Sequence, residues 1–417
     1  MPPSPDHRTF AAFLVDFVSY GVAMSAVSMA TYLPLFLKTH GASDLIIGVI
    51  PAAFAAGRMT GLLAAPLLEC RPLIRRWMVT VMVLERLPLV LCGLWILLGA
   101  GARPQVVVAG VLGLWVVYTM TNGWASTAWG ALVARSLDTR RRGLLHGAGN
   151  TLSALSGLAI VPLVGLAITR FGLARGYGGA FIAAGVLLMC SSLIFLRVRE
   201  EPYPHVKARV GLALYFRQMA PLLRADRRFR WFLAVMALWL VGSTGAAYFT
   251  VYAMDRFAAD PGMVMGYTLA MSAGAGLAGL IGGRMAGRVG FVRVYGVGMG
   301  LTAASMVAAY LAPASPWFYG AFALVGAGGT ASWMAVINLP LELADRPDVP
   351  TYYAVAALVR GPAGALSPLA AGLYLQHFAH PPLFLFCALV SLLAIVLLRR
   401  HVSEPRPAPE VAAAAAS

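Results

Sequence analysis

The chain has 417 residues, of which 60% are hydrophobic and only 12% charged, whereas a soluble domain carries about 25% charged residues. A surface that meets water on every side is therefore excluded, and the composition is that of a membrane protein. A formal charge of +16 would suit nucleic acid, but cations gathered at one membrane face account for it without that partner.

A bilayer core of about 30 Å takes roughly 20 apolar residues as helix. Twelve such segments are predicted, at 10–37, 45–68, 77–99, 105–134, 143–168, 177–196, 229–254, 263–284, 293–311, 316–344, 351–376 and 382–398. The first apolar run is too long for the core of a cleaved leader and is expected to remain as a span. Cys70, Cys92, Cys190 and Cys387 stand singly in or beside apolar runs, as free thiols rather than a disulfide or zinc framework. The predicted fold is an all-α membrane protein of two pseudo-symmetric six-helix bundles, 1–196 and 229–400. A cytoplasmic linker, 197–228, joins them, and a short tail, 401–417, follows.

Within the linker Leu212, Phe216, Met219 and Leu223 recur at helical spacing opposite Arg209, Arg217 and Arg224, the pattern of a helix lying along a headgroup layer of membrane lipid. Of the 32 cations, 24 fall on the side of the termini, 5 on the other side (Lys38, Arg103, Arg170, Arg175 and Arg256) and 3 within spans. Lys and Arg collect in cytoplasmic loops, so both termini are expected in the cytoplasm, with the chain in the cytoplasmic, inner membrane.

The halves echo one another. Phe13, Leu14 and Thr31 fall 219 residues before Phe232, Leu233 and Thr250, and Gly48, Gly61 and Leu62 match Gly266, Gly279 and Leu280 one residue out of that register. Ala154-Leu155-Ser156 returns as Ala365-Leu366-Ser367. Duplicated halves suit alternating access about a site between them.

With these features the sequence resembles the major facilitator superfamily over Thr9 to His401. The family's Gly-x-x-x-Asp-Arg-x-Gly-x-x-Arg loop is echoed by Gly283, Gly287, Arg288, Gly290 and Arg293 between spans eight and nine. A more degenerate copy, with Ala65, Glu69, Cys70, Pro72 and Arg75, lies between spans two and three. The resemblance implies a gating latch involving Glu69, Arg75 and Arg76. Ala128-Trp129-Gly130 followed by Arg140-Arg141-Arg142-Gly143 is similar to bacterial members with no assigned substrate. The arginine that proton-coupled drug exporters carry in their fourth helix has no counterpart between Gln105 and Ala134, and of their fifth-helix Gly-Pro-x-x-Gly-Gly element only Pro162 and Gly165 remain.

Charges at bilayer depth are functional candidates until paired. Asp16, Arg58, Glu85, Arg86 and Arg360 stand well inside their spans. At 1.5 Å per residue, Asp16 lies about 9 Å from the terminal-side end of its helix and Arg58, Glu85 and Arg360 about 12–15 Å from theirs, so they can share a layer. Asp16 is expected either as a proton carrier, because burial and a moving arginine pull a carboxyl in opposite directions, or as a fixed pair with Arg58. Glu85 and Arg86 are expected to pair with each other. Arg360, in Arg360-Gly361-Pro362, can form an anion site with Arg58 between the halves.

Tyr118, Asn122, Ala125 and Trp129 step along one face of the fourth span. Trp333, Asn338 and Glu342 on the tenth, Trp239, Ser243 and Tyr248 on the seventh, and Tyr20 and Asn150 complete the polar and aromatic candidates for a cavity. Gly57 and Gly61 form a small-xxx-small pair for helix packing. His377 and His380 make a poor metal site, and no metal or cofactor is expected. Neither Lys38 nor Lys207 follows glycine, so no phosphate-cradling element of a pump exists. The expected protein is a secondary transporter of a small organic solute, proton-coupled, with a slight lean to efflux, functional as a monomer and not an enzyme. Uptake or exchange of organic anions through Arg58 and Arg360 is the alternative, and a non-transporting sensor on the same scaffold is a third.

Overall fold

The computed structural model describes residues 7–99, 103–137, 139–198, 200–203, 225–343 and 349–404. Among these there is no strand, and twelve helices are long and apolar enough to cross a membrane. The sequence expectation of an all-α protein with twelve spans holds. The amphipathic segment 212–223, Arg224 and the tail beyond Glu404 lie outside the described residues.

The first span is divided. α1 (His7–Val27) stops at Ser28, which adopts a φ of +39°, and α2 (Tyr32–Thr39) resumes after Thr31. Spans two to six are α3 (Asp44–Glu69), α4 (Arg75–Leu98), α5 (Pro104–Ser136), α6 (Thr139–Phe171) and α7 (Leu173–Ile194). The seventh span is broken as well: α8 (Arg227–Ser243) tightens into a 3-10 stretch, Thr244–Tyr248, before α9 (Phe249–Phe257). Spans eight to twelve are α10 (Pro261–Val289), α11 (Phe291–Tyr310), α12 (Trp317–Leu343), α13 (Val349–Leu375) and α14 (His380–His401). The breaks in spans one and seven occupy equivalent places in the two halves, and neither was expected from the continuous apolar runs.

The bundles meet through α3 against α13 and α6 against α10. Backbone approaches backbone there. A Cβ on Gly48 would lie 2.5 Å from the Pro368 carbonyl oxygen, and one on Gly372 2.7 Å from Cα of Leu45. Within the first bundle Gly57 and Gly61 do the same against Thr119 and Gly123 of α5, as the small-residue spacing predicts. Toward lipid the helices present Leu155, Leu163, Leu166, Leu366 and Leu389, all exposed.

Burial separates the two ends of the molecule. Away from the termini one apolar core runs through both bundles, with Phe36, Ile47, Trp115 and Tyr177 joined to Phe249, Tyr267, Phe318 and Phe384. Toward the terminal face the cores part. Phe13, Met78, Leu132 and Phe195 form one, and Phe232, Tyr295, Leu339 and Leu398 another, to which Leu62 of α3 reaches across. The structure is thus sealed on the face remote from the termini and divided on the terminal face.

Candidate functional site

At the seam between the bundles three side chains converge from different helices. Arg58 of α3 lies with its guanidinium carbon 5.2 Å from the Trp333 ring of α12, and Arg360 of α13 lies 5.1 Å from the same ring. The two guanidinium carbons are therefore at most about 10 Å apart. Phe54 offers Arg58 a second ring at 5.3 Å. Each cation–π contact contributes about 0.5–2 kcal/mol, too little to neutralise two charges at this depth. Among the described residues neither arginine has a carboxylate within ion-pair distance, and Nε of Arg58 is buried without a hydrogen-bond partner. The expected meeting of Arg58 and Arg360 between the halves is found. Trp333, a cavity candidate from sequence on the tenth span, is the ring that brings them together.

A second polar centre lies wholly inside the first bundle. Arg86 of α4 donates from Nη2 to Asp16 Oδ1 at 2.7 Å, and Ser191 of α7 donates to the same oxygen at 2.7 Å. Arg86 also donates to the Leu188 carbonyl and to Ser191 Oγ. This corrects the expected Asp16–Arg58 pair. The expected Glu85–Arg86 pair is present as a longer contact, with Glu85 Oε2 3.9 Å from Arg86 Nε, within ion-pair range but beyond hydrogen bonding. Asn122 of α5 donates instead to Glu85 Oε1 at 2.7 Å and to the Tyr20 hydroxyl at 3.2 Å. Tyr20 then meets the Tyr118 hydroxyl at 3.2 Å. Asp16, Glu85, Arg86, Tyr118 and Asn122 are all buried. The fourth-span face holding Tyr118, Asn122 and Ala125 accordingly turns toward α4 and α1 in its own bundle, not into an open cavity. Helical spacing placed these residues on one face but could not say which neighbour that face meets.

The other candidates disperse. Trp129 packs in a ring cluster with Phe13, Phe17 and His146, with centroids 5.6, 6.0 and 6.2 Å away. Trp239 is buried against Tyr295 in the second bundle. Asn338 donates to the Met334 carbonyl of its own helix at 2.7 Å, and Asn150 is exposed on α6. At the outer seam the Tyr248 hydroxyl donates to the Pro368 carbonyl.

The loop motifs have a partner that sequence reasoning missed. Glu200, just past the sixth span, accepts from the backbone N–H of Ile74 and Arg75 at 2.8 and 2.9 Å and so caps the third span. Glu404, just past the twelfth, accepts from Val292 N–H at 3.1 Å at the start of the ninth. Gly290 fits this corner because its φ is +86° and a Cβ there would lie 1.6 Å from a Glu404 carboxylate oxygen. The echo Val198-x-Glu200 and Val402-x-Glu404 was the available signal. Arg75 donates to the Val198 carbonyl, while Arg76, Gly283, Arg288 and Arg293 are exposed or half-buried nearby. The side chain of Glu69 lies outside the described residues.

On the sealed face Lys38 Nζ lies 2.8 Å from Asp255 and 3.7 Å from Asp44, and His380 lies 3.8 Å from Asp44. His380, expected with His377 to make a poor metal site, meets carboxylates in the fold. The fold supplies two of them, with ligand atoms within 4.8 Å of one another, and the Lys38 ammonium takes the cation's place among them. The Lys38–Asp255 and His380–Asp44 contacts cross from the first bundle to the second.

The sequence profile of the Major Facilitator Superfamily matches residues 253–417. Among solved structures, a D-xylose-proton symporter matches 97% of this chain and 99% of its own, with a TM-score of 0.70 at 13% identity. The xylose transporter from E. coli, in a partially occluded inward-open conformation, matches 96% of this chain and 98% of its own, with a TM-score of 0.71 at 13% identity. A POT family transporter in complex with 5-aminolevulinic acid matches 96% of both chains, with a TM-score of 0.66 at 14% identity. No curated protein matches the chain. At these identities the likeness establishes the fold.

Proposed function

We propose that this chain is a secondary active transporter of the Major Facilitator Superfamily that carries a small organic anion by alternating access, bound between Arg58, Arg360 and the ring of Trp333. The observation that carries this is two arginines from opposite bundles on one tryptophan with, among the described residues, no carboxylate in ion-pair range of either. An anion there offsets the repulsion of two cations in a medium of low dielectric and gains charge-assisted hydrogen bonds from planar donors. Because Arg58 belongs to one bundle and Arg360 and Trp333 to the other, rocking of the bundles changes the span between the cations and so the affinity for their ligand.

Efflux of amphipathic solutes is less well supported. Of the fourth- and tenth-span aromatics that suggested it, Tyr118 and Trp129 pack inside their own bundle. The excess of cations on the terminal side supports cytoplasmic termini in the inner membrane. In the described conformation the divided cores then face the cytoplasm.

The test is binding and flux. Purified protein is titrated with benzoate, succinate and glycerol 3-phosphate, with glucose and tetraphenylphosphonium as neutral and cationic controls, while Trp fluorescence and thermal unfolding are followed. Anions that stabilise the native protein and lose that effect in Arg58→Gln and in Arg360→Gln are expected, followed by uptake of the same anion into sealed vesicles. Stabilisation by the neutral or cationic solutes alone would remove the basis for an anion carrier.

A further inference from the structure

The buried centre of the first bundle has an unbalanced charge count. Around Arg86 stand two carboxyl groups, Asp16 from α1 and Glu85 from α4, each at most 4% exposed. The other titratable groups facing this centre are the phenols of Tyr20 on α1 and Tyr118 on α5. From α7 it receives only the Ser191 hydroxyl, and Arg58 of α3 is engaged with Phe54 and Trp333. One cation cannot compensate two buried carboxylates, and an unpaired buried charge costs several kcal/mol. A proton on one of the acids restores the balance.

The hydrogen bonds say which acid. Asp16 Oδ1 accepts from both Arg86 and Ser191 at 2.7 Å, the pattern of an ionised carboxylate held by a charged and a neutral donor. Glu85 has the Asn122 amide at 2.7 Å and no hydrogen bond to Arg86, whose Nε is without a partner.

We propose that Glu85, rather than Asp16, is the group that carries the coupling proton, held neutral beside a charged Asp16–Arg86 pair. When Glu85 gives up its proton, its carboxylate becomes a competitor of Asp16 for the one guanidinium and draws toward the vacant Nε. That competition loosens the tie between α4 and α1. Beyond Val27, α1 leads into the Ser28–Thr31 break, where Thr31 bonds Thr268 at 2.7 Å and the Ala30 carbonyl accepts from Thr250, both in the second bundle. In parallel, Asn122 links Glu85 to Tyr20 of α1. Ionisation of Glu85 thus reaches the contact between bundles through α1. The proposal rests on the transporter assignment above but not on which solute is carried.

Infrared difference spectroscopy of the purified, ligand-free protein tests it, because a protonated carboxyl has a carbonyl stretch distinct from that of a carboxylate. A step from neutral to alkaline pH is expected to remove such a band. The band should shift when glutamate, and not aspartate, carries carbon-13 in its side-chain carboxyl group. Glu85→Gln should abolish it. Asp16→Asn should abolish it too, since Glu85 then ionises as the sole partner of Arg86. A band that follows the aspartate label, one that persists in Asp16→Asn, or its absence from the native protein at neutral pH would each overturn the proposal. The labelling experiment uses the unmodified sequence, so a variant that fails to fold does not decide the matter. These outcomes are independent of whether benzoate, succinate or glycerol 3-phosphate binds, so failure of the anion site is recognised separately.

Discussion

The two bundles share an architecture and differ in what they bury. The first encloses Asp16, Glu85 and Arg86, and in the repeat register Val235, fully buried, stands where Asp16 stands. The second bundle fills its centre with Trp239, Tyr295 and small hydroxyl residues. Its half-buried cation, Arg360, turns to the seam. Since most helix pairings of the first bundle recur in the second, the contact of spans five and six excepted, the ionic centre is not needed to make a bundle. Buried ion pairs are weak sources of stability, so a centre of this kind in the first bundle fits the coupling role proposed above.

The largest effect expected from disturbing this contrast is in Arg86→Met, which leaves two buried acids without a cation. It should lose about 3–5 kcal/mol of stability, read as a large fall in the thermal unfolding midpoint in detergent. Converting the centre to the second bundle's type with Asp16→Val, Glu85→Gln and Arg86→Met together should recover most of that loss and leave the protein unable to accumulate solute. A triple variant as unstable as the single one would mean that the ionic centre is structural after all.

Next in size, Arg58→Gln or Arg360→Gln should weaken anion binding by about tenfold to a hundredfold, the worth of one charge-assisted hydrogen bond, as measured by titration of Trp fluorescence. Equal losses from the two would place the ligand across the seam, and a loss confined to Arg360 would assign it to the second bundle. The paired caps follow. Glu200→Ala removes the acceptor for two backbone N–H groups and Glu404→Ala the acceptor for one, so within the usual range of about 0.5–2 kcal/mol for a cap the first should cost more, by thermal unfolding.

Smaller still is the ion cluster on the sealed face. Lys38→Gln should change stability by less than about 1 kcal/mol, yet raise the labelling rate of a cysteine placed beneath that face, an effect that high salt should mimic in the native protein.

The spans themselves were readable because run length and apolarity suffice when the solvent is lipid. Depth along each helix was readable too, which is why Arg58 and Arg360 were expected together. Rotation about the helix axis was not. Asp16, Arg58 and Arg86 lie at compatible depths, and only the packed orientation of α1 selects Arg86. The breaks at Ser28 and at Thr244–Tyr248 were hidden because an unwound turn inside protein leaves the apolar run intact. Glu200 and Glu404 escaped notice because their role is to receive backbone N–H groups some 110 residues or more away in sequence, and composition carries no trace of that.

The merged core on the face remote from the termini has a thermal consequence. Opening that side would wet Phe36, Ile47, Phe249 and Phe318, now buried together, and wetting apolar surface is least unfavourable in the cold. Chilling should therefore tilt the resting population toward molecules opened on that side, and warming should return them to the conformation described above.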